Sequence, residues 1–190
     1  MSTTLDNPNA PAEVPFRPVA VRGGLITALI LIAFGLVLQV TGISDPANPN
    51  ATANIVTTLV SIVILTGGIV WVLRTHKADQ NGYLTFGRGL AAGMLVSLIV
   101  GLVTLVWMII NFMLIQPDMI EVMQETARDQ MYERQPNITD EQVDQAMGFM
   151  SFMFNPFVLG VIGLVTTLIQ GLIISLIVSA VIKNNPPEMN

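Results

Sequence analysis

Few residues in this 190-residue chain could do chemistry, and most lack the partner that chemistry needs. Residues Gly87, Gly89 and Gly93 have the Gly-x-Gly-x-x-x-Gly spacing that suggests a dinucleotide-binding turn. Such a turn needs a strand before it, a helix start facing water, and an acid about 20 positions on. Here a turn-like Asp79-Gln80-Asn81-Gly82 precedes the glycines, an apolar run follows them, and the next acid is Asp118. The single histidine, His76, lies beside Lys77 in a polar connection and reads as a solvated residue, with no partner for general-base work. Ser61, Ser97, Ser175 and Ser179 sit in apolar runs with no histidine to activate them. Met147, Met150 and Met153 have a spacing that thioether coordination of Cu(I) would use. Neither His nor Cys accompanies them, and beside Phe149, Phe152 and Phe154 a flexible apolar helix face is the plainer reading. The expectation is therefore no catalytic residue, no cofactor and no metal centre.

The rest of the chain explains why. It is 52% hydrophobic and 11% charged, whereas a soluble domain carries about 25% charged residues. A surface so poor in charge suits a bilayer. The net charge of −5 argues against nucleic acid, and the absence of cysteine removes disulfides and thiolate sites. Four stretches, 23–42, 54–73, 89–115 and 157–182, contain no Asp, Glu, Lys, Arg or His. Each has at least 20 residues, enough for a helix to cross a hydrocarbon core roughly 30 Å thick. Uninterrupted runs of this kind satisfy their backbone in lipid only as helices. The predicted fold is an all-α membrane protein with four transmembrane helices. A polar tail, 1–22, is expected to be disordered; the membrane domain covers 23–182, and a second tail covers 183–190. The first span exceeds the 7–15 apolar residues of a signal peptide and follows a polar tail, so it is expected to remain in the protein.

Arg17, Arg22, Arg74, Lys77, Arg88 and Lys183 all fall on one side of the predicted spans, with only Arg128 and Arg134 on the other. The positive-inside rule then predicts both termini in the cytoplasm. Loops 43–53 and 116–156 would lie outside, carrying Asp45 and eight further acids.

Within the spans, small residues recur every fourth position: Gly89, Gly93, Ser97 and Gly101 in the third, and Gly163, Thr167, Gly171, Ser175 and Ser179 in the fourth. Such ladders line one helix face and let backbones approach closely. They predict intimate packing of spans three and four, with each other or across a dimer. The polar exceptions are Gln39, Asn111 and Gln170. Gln170, near the middle of its span, is expected to hydrogen-bond another helix; a substrate contact at Gln170 or Asn111 is the alternative.

The long loop 116–156 is expected to fold as a helical hairpin. Gln116-Pro117-Asp118 resembles a helix start, and Ile120, Met123, Ala127 and Met131 then fall at helical spacing. Gln135-Pro136-Asn137 breaks that helix. Thr139 followed by Gln142 forms a capping box, and Val143, Met147, Met150 and Phe154 carry the next apolar face. Its acidic outer face favours packing against the protein's own helices over anionic lipid.

In order and spacing, the chain resembles a bacterial family of small integral-membrane proteins of unknown function, DUF4199. The resemblance rests on Arg22-Gly23-Gly24 opening the first span, Gly82-Tyr83-Leu84-Thr85-Phe86-Gly87 before the third, and Gln116-Pro117-Asp118. It continues through Thr139-Asp140-Glu141-Gln142-Val143, Asn155-Pro156, and Gly171-Leu172-Ile173-Ile174-Ser175 before Lys183, covering residues 18–183. It implies a four-helix inner-membrane protein and supplies no activity. The leading expectation is a non-enzymatic accessory or scaffold subunit that uses its small-residue faces to hold a second copy or a membrane-protein partner. The alternative is a small transporter or lipid-binding protein with a polar site near Gln170.

Overall fold

The computed structural model describes residues 14–43 and 50–185. Most of the polar tail 1–22, Asp45, and residues 186–190 of the second tail lie outside them. Six helices account for most of what is described. Four are long and apolar enough to cross a membrane: α1 (Arg17–Val40), α2 (Ala51–Asp79), α3 (Phe86–Ile110) and, at the C-terminal end, α6 (Pro156–Ile182). Between α3 and α6 stand α4 (Met119–Arg134) and α5 (Asp140–Ser151). No strand is present among the described residues beyond one isolated bridge, between Leu84 and Asn184.

Local chemistry sets the ends. Pro18 sits in the first turn of α1, where its missing N–H costs nothing. Asn50 caps α2 by accepting from the backbone N–H groups of Thr52 (2.9 Å) and Ala53 (3.2 Å). The predicted capping box starts α5: Gln142 N–H donates to Thr139 Oγ1, and Thr139 N–H donates to Gln142 Oε1. Asn155 caps α6, with Pro156 following it. The turn from α2 to α3 requires left-handed backbone, and Asn81 (φ 54°) and Gly82 (φ 86°) supply it.

Several helix boundaries differ from the expected ones. α1 starts at Arg17 and stops at Val40, so Arg17 and Arg22 lie on its first turns rather than in the tail. α2 runs on past residue 73 to Asp79, carrying Arg74, His76 and Lys77 with it. Charge ends an apolar run without ending a helix, and basic groups in a last turn suit the negative end of the helix dipole.

α3 lies at the centre, packed against α1, α2 and α6. Small residues let the helices close up inside, where Ala20, Ala28, Ala92, Val96 and Val100 are buried alongside Leu65, Ile69 and Leu73 of α2. What faces outward is large: Val40, Leu114, Ile169, Ile177 and Val181 are all exposed. A water-soluble bundle sorts its residues the other way. In lipid an outward Leu costs nothing, and close backbone approach is what holds helices together.

One end of the bundle is tied across its chain segments. Lys77 Nζ donates to the Ile182 carbonyl (2.8 Å) at the end of α6, and Gln80 Nε2 donates to the Val14 carbonyl (3.1 Å). Leu84 and Asn184 exchange two backbone hydrogen bonds of 2.9 Å. The six basic residues that the sequence assigned to one side therefore share one end.

α4 and α5 pack chiefly against each other rather than broadly against the spans. Val143 is fully buried between them, while the Phe149 and Phe152 side chains point outward, 81% and 71% exposed. Arg128 pairs with Asp144 at 2.6 Å, and the Tyr132 hydroxyl donates to Asp140 at 2.9 Å.

Candidate functional site

Three features could carry function: the α3–α6 seam, a buried histidine at the tied end, and a polar cavity at the opposite end of α3. The seam is built of rungs that each set one glycine against one serine. A methyl group on Gly89 would meet Ser179 Oγ at 2.7 Å; on Gly93 it would run into Ser175, and on Gly171 into Ser97. Farther along, Gly101 faces Leu164 and Gly160 faces Leu105. The ladders thus pack within one chain, and their seam is closed. Gly163 and Thr167 are not part of it. Nothing lies within 4 Å of the space a Gly163 side chain would take, and Thr167 only bonds back to the Gly163 carbonyl (2.9 Å). A strict four-residue spacing drifts around an α-helix, so a ladder seventeen positions long, from Gly163 to Ser179, leaves the seam at one end. Gly23 and Gly24 do comparable work on α1, where side chains would strike Val72 of α2 and Ile99 of α3.

Gln170 is half-buried, and no hydrogen bond to another helix is present among the described residues, contrary to expectation. His76 also differs from its expected place. Far from being solvated, it is fully buried on α2, its ring edge-on to Phe16 at 6.1 Å between centroids. Neither ring nitrogen has a hydrogen-bond partner. Sequence reasoning missed this because it ended the helix at residue 73.

The cavity is different in kind. After Ile110 the α3 helix widens into a π-helical turn, Asn111–Ile115, closed by a 2.8 Å bond from Gln116 N–H to the Asn111 carbonyl. Turns of this type concentrate at functional sites, because they bring side chains together that an α-helix holds apart. Here Asn111 and Gln116 both line a cavity of about 290 Å³. Gln39 enters from α1, Trp107 and Thr104 from α3, and Met119 from α4. Asn111 Oδ1 and Gln116 Oε1 are buried and accept no hydrogen bond, whereas Thr104 Oγ1 is satisfied by the Val100 carbonyl (2.8 Å). An amide oxygen buried without a donor costs about 1–3 kcal/mol, and this turn carries two of them. Asn111 was legible as an intramembrane polar residue. Gln116 was not, since it follows the apolar run and its five-residue spacing from Asn111 matches no α-helical face.

The cavity holds no Asp, Glu, His or Lys to transfer a proton or attack a substrate. Among the described residues, no three His, Cys, Asp or Glu side chains are grouped to hold a metal ion. Outside the spans, the Tyr132 phenol is held above its ordinary range by its hydrogen bond to Asp140, which stabilises the protonated form.

A family model described as a protein of unknown function (DUF4199) matches residues 22–184. No curated protein matches the chain, and no solved structure does.

Proposed function

We propose, for a chain that belongs to the DUF4199 family of proteins of unknown function, a non-enzymatic role as a small ligand-binding protein of the bacterial inner membrane. One observation carries this: a cavity beside a π-helical turn, lined by Gln39, Asn111 and Gln116, the last two with amide oxygens that find no donor in the chain. At about 290 Å³ the cavity is at the small end of ligand sites, room for a lipid headgroup or a small polar molecule but not for acyl chains. Met113, Leu114 and Ile115, exposed on the same turn, would meet the apolar part of an amphipathic ligand that extends beyond the cavity. Of the two polar positions the sequence suggested, Gln170 and Asn111, this keeps Asn111 and adds Gln116. Both termini are proposed to be cytoplasmic and the cavity to open at the outer leaflet, because the basic residues gather at the other end.

The test is native mass spectrometry of the protein extracted gently from its own membrane. A discrete adduct that disappears in Asn111→Leu and Gln116→Leu supports the reading; the same spectrum in all three proteins overturns it. Single cysteines at Gln80 and Gln130 check the orientation, the second alone reacting with an impermeant thiol reagent from outside.

A second reading, an accessory subunit holding a second copy or a membrane partner, is favoured by Gly163 and Thr167, the part of the α6 ladder with nothing packed on it. Its test is assembly size in native membranes, which Gly163→Leu reduces and Asn111→Leu leaves alone.

A further inference from the structure

We infer that the C-terminal end of α5 is a membrane anchor. Its Phe149–Phe152 face lies in the lipid interface at that end of the bundle and holds the α4–α5 pair against the bilayer surface, whatever the cavity binds. Charge stops well short of the span. Ten charged residues stand from Asp118 to Asp144, and none from Gln145 to Ile182. α6 begins only at Pro156, so the charge-free run opens eleven residues earlier and takes in the second half of α5. On one face of that helix Glu141 and Gln145 are followed at helical spacing by Phe149. Phe152 keeps helical backbone angles (φ −62°, ψ −38°), which set it on the same side. All four residues are exposed. The face thus changes from acidic to aromatic along the helix axis, which suits a helix passing from water into an interface and gives nothing to one solvated throughout.

The height of the apolar zone points the same way. α3 and α6 run antiparallel in register, with Gly101 against Leu164 and Gly160 against Leu105. Ile115 is ten residues beyond Leu105, and Pro156 is four beyond Gly160, which puts Ile115 about 9 Å farther out. Met113, Leu114 and Ile115 are exposed there with no charged residue before Asp118, so lipid must reach that height. Phe152 is only four residues from Pro156, and the chain between them folds back on itself. The N–H groups of Met153 and Phe154 both donate to the Met150 carbonyl, and Asn155 N–H donates to the Phe152 carbonyl. Four residues span at most about 14 Å even when extended, so a folded turn keeps the end of α5 at the level of the interface. Exposed Phe149, Phe152 and Met153 then run on into exposed Phe157, Val161 and Val165, the lipid-facing side of α6. That continuity names the occupant as lipid. No Arg or Lys lies between Arg134 and Lys183, so the contact is apolar insertion and owes nothing to anionic headgroups.

The test places single tryptophans in a Trp71→Phe, Trp107→Phe background, reconstituted in phosphatidylcholine nanodiscs. Phe149→Trp and Phe152→Trp report on the anchor; Gln135→Trp, at the exposed turn between α4 and α5, is the control. One quencher is phosphatidylcholine brominated near the top of its acyl chains, and the other is acrylamide in the water. An interfacial helix lies about 5–10 Å into the boundary between headgroups and acyl chains. The bromines should therefore remove most of the Phe149→Trp and Phe152→Trp emission and leave Gln135→Trp untouched, and acrylamide should do the reverse. Acrylamide quenching of both anchor variants to the level of Gln135→Trp overturns the inference, because the aromatics then stand in water. Protection from both quenchers also overturns it, because a protein partner or a second copy then covers the face. The chain has no cysteine, so nitroxide labels on Phe149→Cys and Phe152→Cys repeat the measurement should a tryptophan variant fail to fold. Faster collision with oxygen than with a water-soluble nickel chelate supports the anchor, and the opposite preference overturns it.

Discussion

The two ends of α3 solve opposite problems with the same helix. Toward its start, Gly89, Gly93 and Ser97 lie so close to Ser179, Ser175 and Gly171 that one added methyl group has no room. Toward its finish, the helix loosens into a π turn and leaves a cavity of about 290 Å³ beside Asn111. Both ends contain buried polar atoms with no partner. Ser175 Oγ, Ser179 Oγ and the ring nitrogens of nearby His76 are orphaned at the tied end; Asn111 Oδ1 and Gln116 Oε1 are orphaned at the other. The difference is access. A serine in a helix can rotate to share the carbonyl four residues back, so its orphan state is cheap and local. The orphaned oxygens of Asn111 and Gln116 belong instead to residues that line an open cavity.

Closing or opening these ends by mutation separates them. Gly93→Leu and Gly171→Leu force side chains into the seam and should cost about 3 kcal/mol or more, enough to lose most folded protein in a detergent thermal-stability assay. If both variants melt like the wild type, the seam is looser than its geometry implies. Next in size, His76→Leu removes two unpartnered nitrogens from a sealed site and should raise stability by about 1–2 kcal/mol with no change in bound ligand. Asn111→Leu should raise stability by a similar amount in detergent but lose the ligand, and that pairing of outcomes distinguishes an accessible orphan from an inaccessible one. A smaller contrast lies along α6 itself. Gly163→Ala should gain about 0.5–1 kcal/mol of helix stability in open space, while Gly171→Ala loses stability against Ser97.

The smallest effects belong to the α4–α5 pair. Arg128→Ala breaks an exposed ion pair and should change stability by less than about 1 kcal/mol. Tyr132 should titrate above its ordinary value of about 10 in an absorbance titration of Tyr83→Phe, and Asp140→Asn should bring it back. Because the folded value is raised, this bond contributes at all pH values below the unfolded phenol's range and is lost only as pH rises through the folded one.

The spans were legible because lipid demands unbroken apolar runs, and the seam was legible because glycine at a four-residue spacing has few other uses in a membrane helix. The pairing was only half legible. Two ladders say that helices meet closely, but not whether the partner is in the same chain, and Gly163 looks identical to Gly171 on paper. His76 was misplaced for a physical reason: hydropathy reports where lipid ends, while backbone hydrogen bonding decides where a helix ends, and α2 keeps bonding for six residues beyond its apolar run. The cavity was least legible. It depends on one backbone turn changing its pitch, and no residue in Asn111–Ile115 announces that.

The Gly89–Ser179 rung also has a consequence in time. Its two residues leave the ribosome roughly 90 positions apart, which at ordinary synthesis rates is about 5–20 s. Through that interval α3 stands in the bilayer with its glycine groove open, in a membrane crowded with other nascent helices that carry small-residue faces of their own. The 41-residue acidic stretch between α3 and α6 is made before the groove's own partner. How quickly those residues are synthesised therefore sets how long a foreign helix has to dock first.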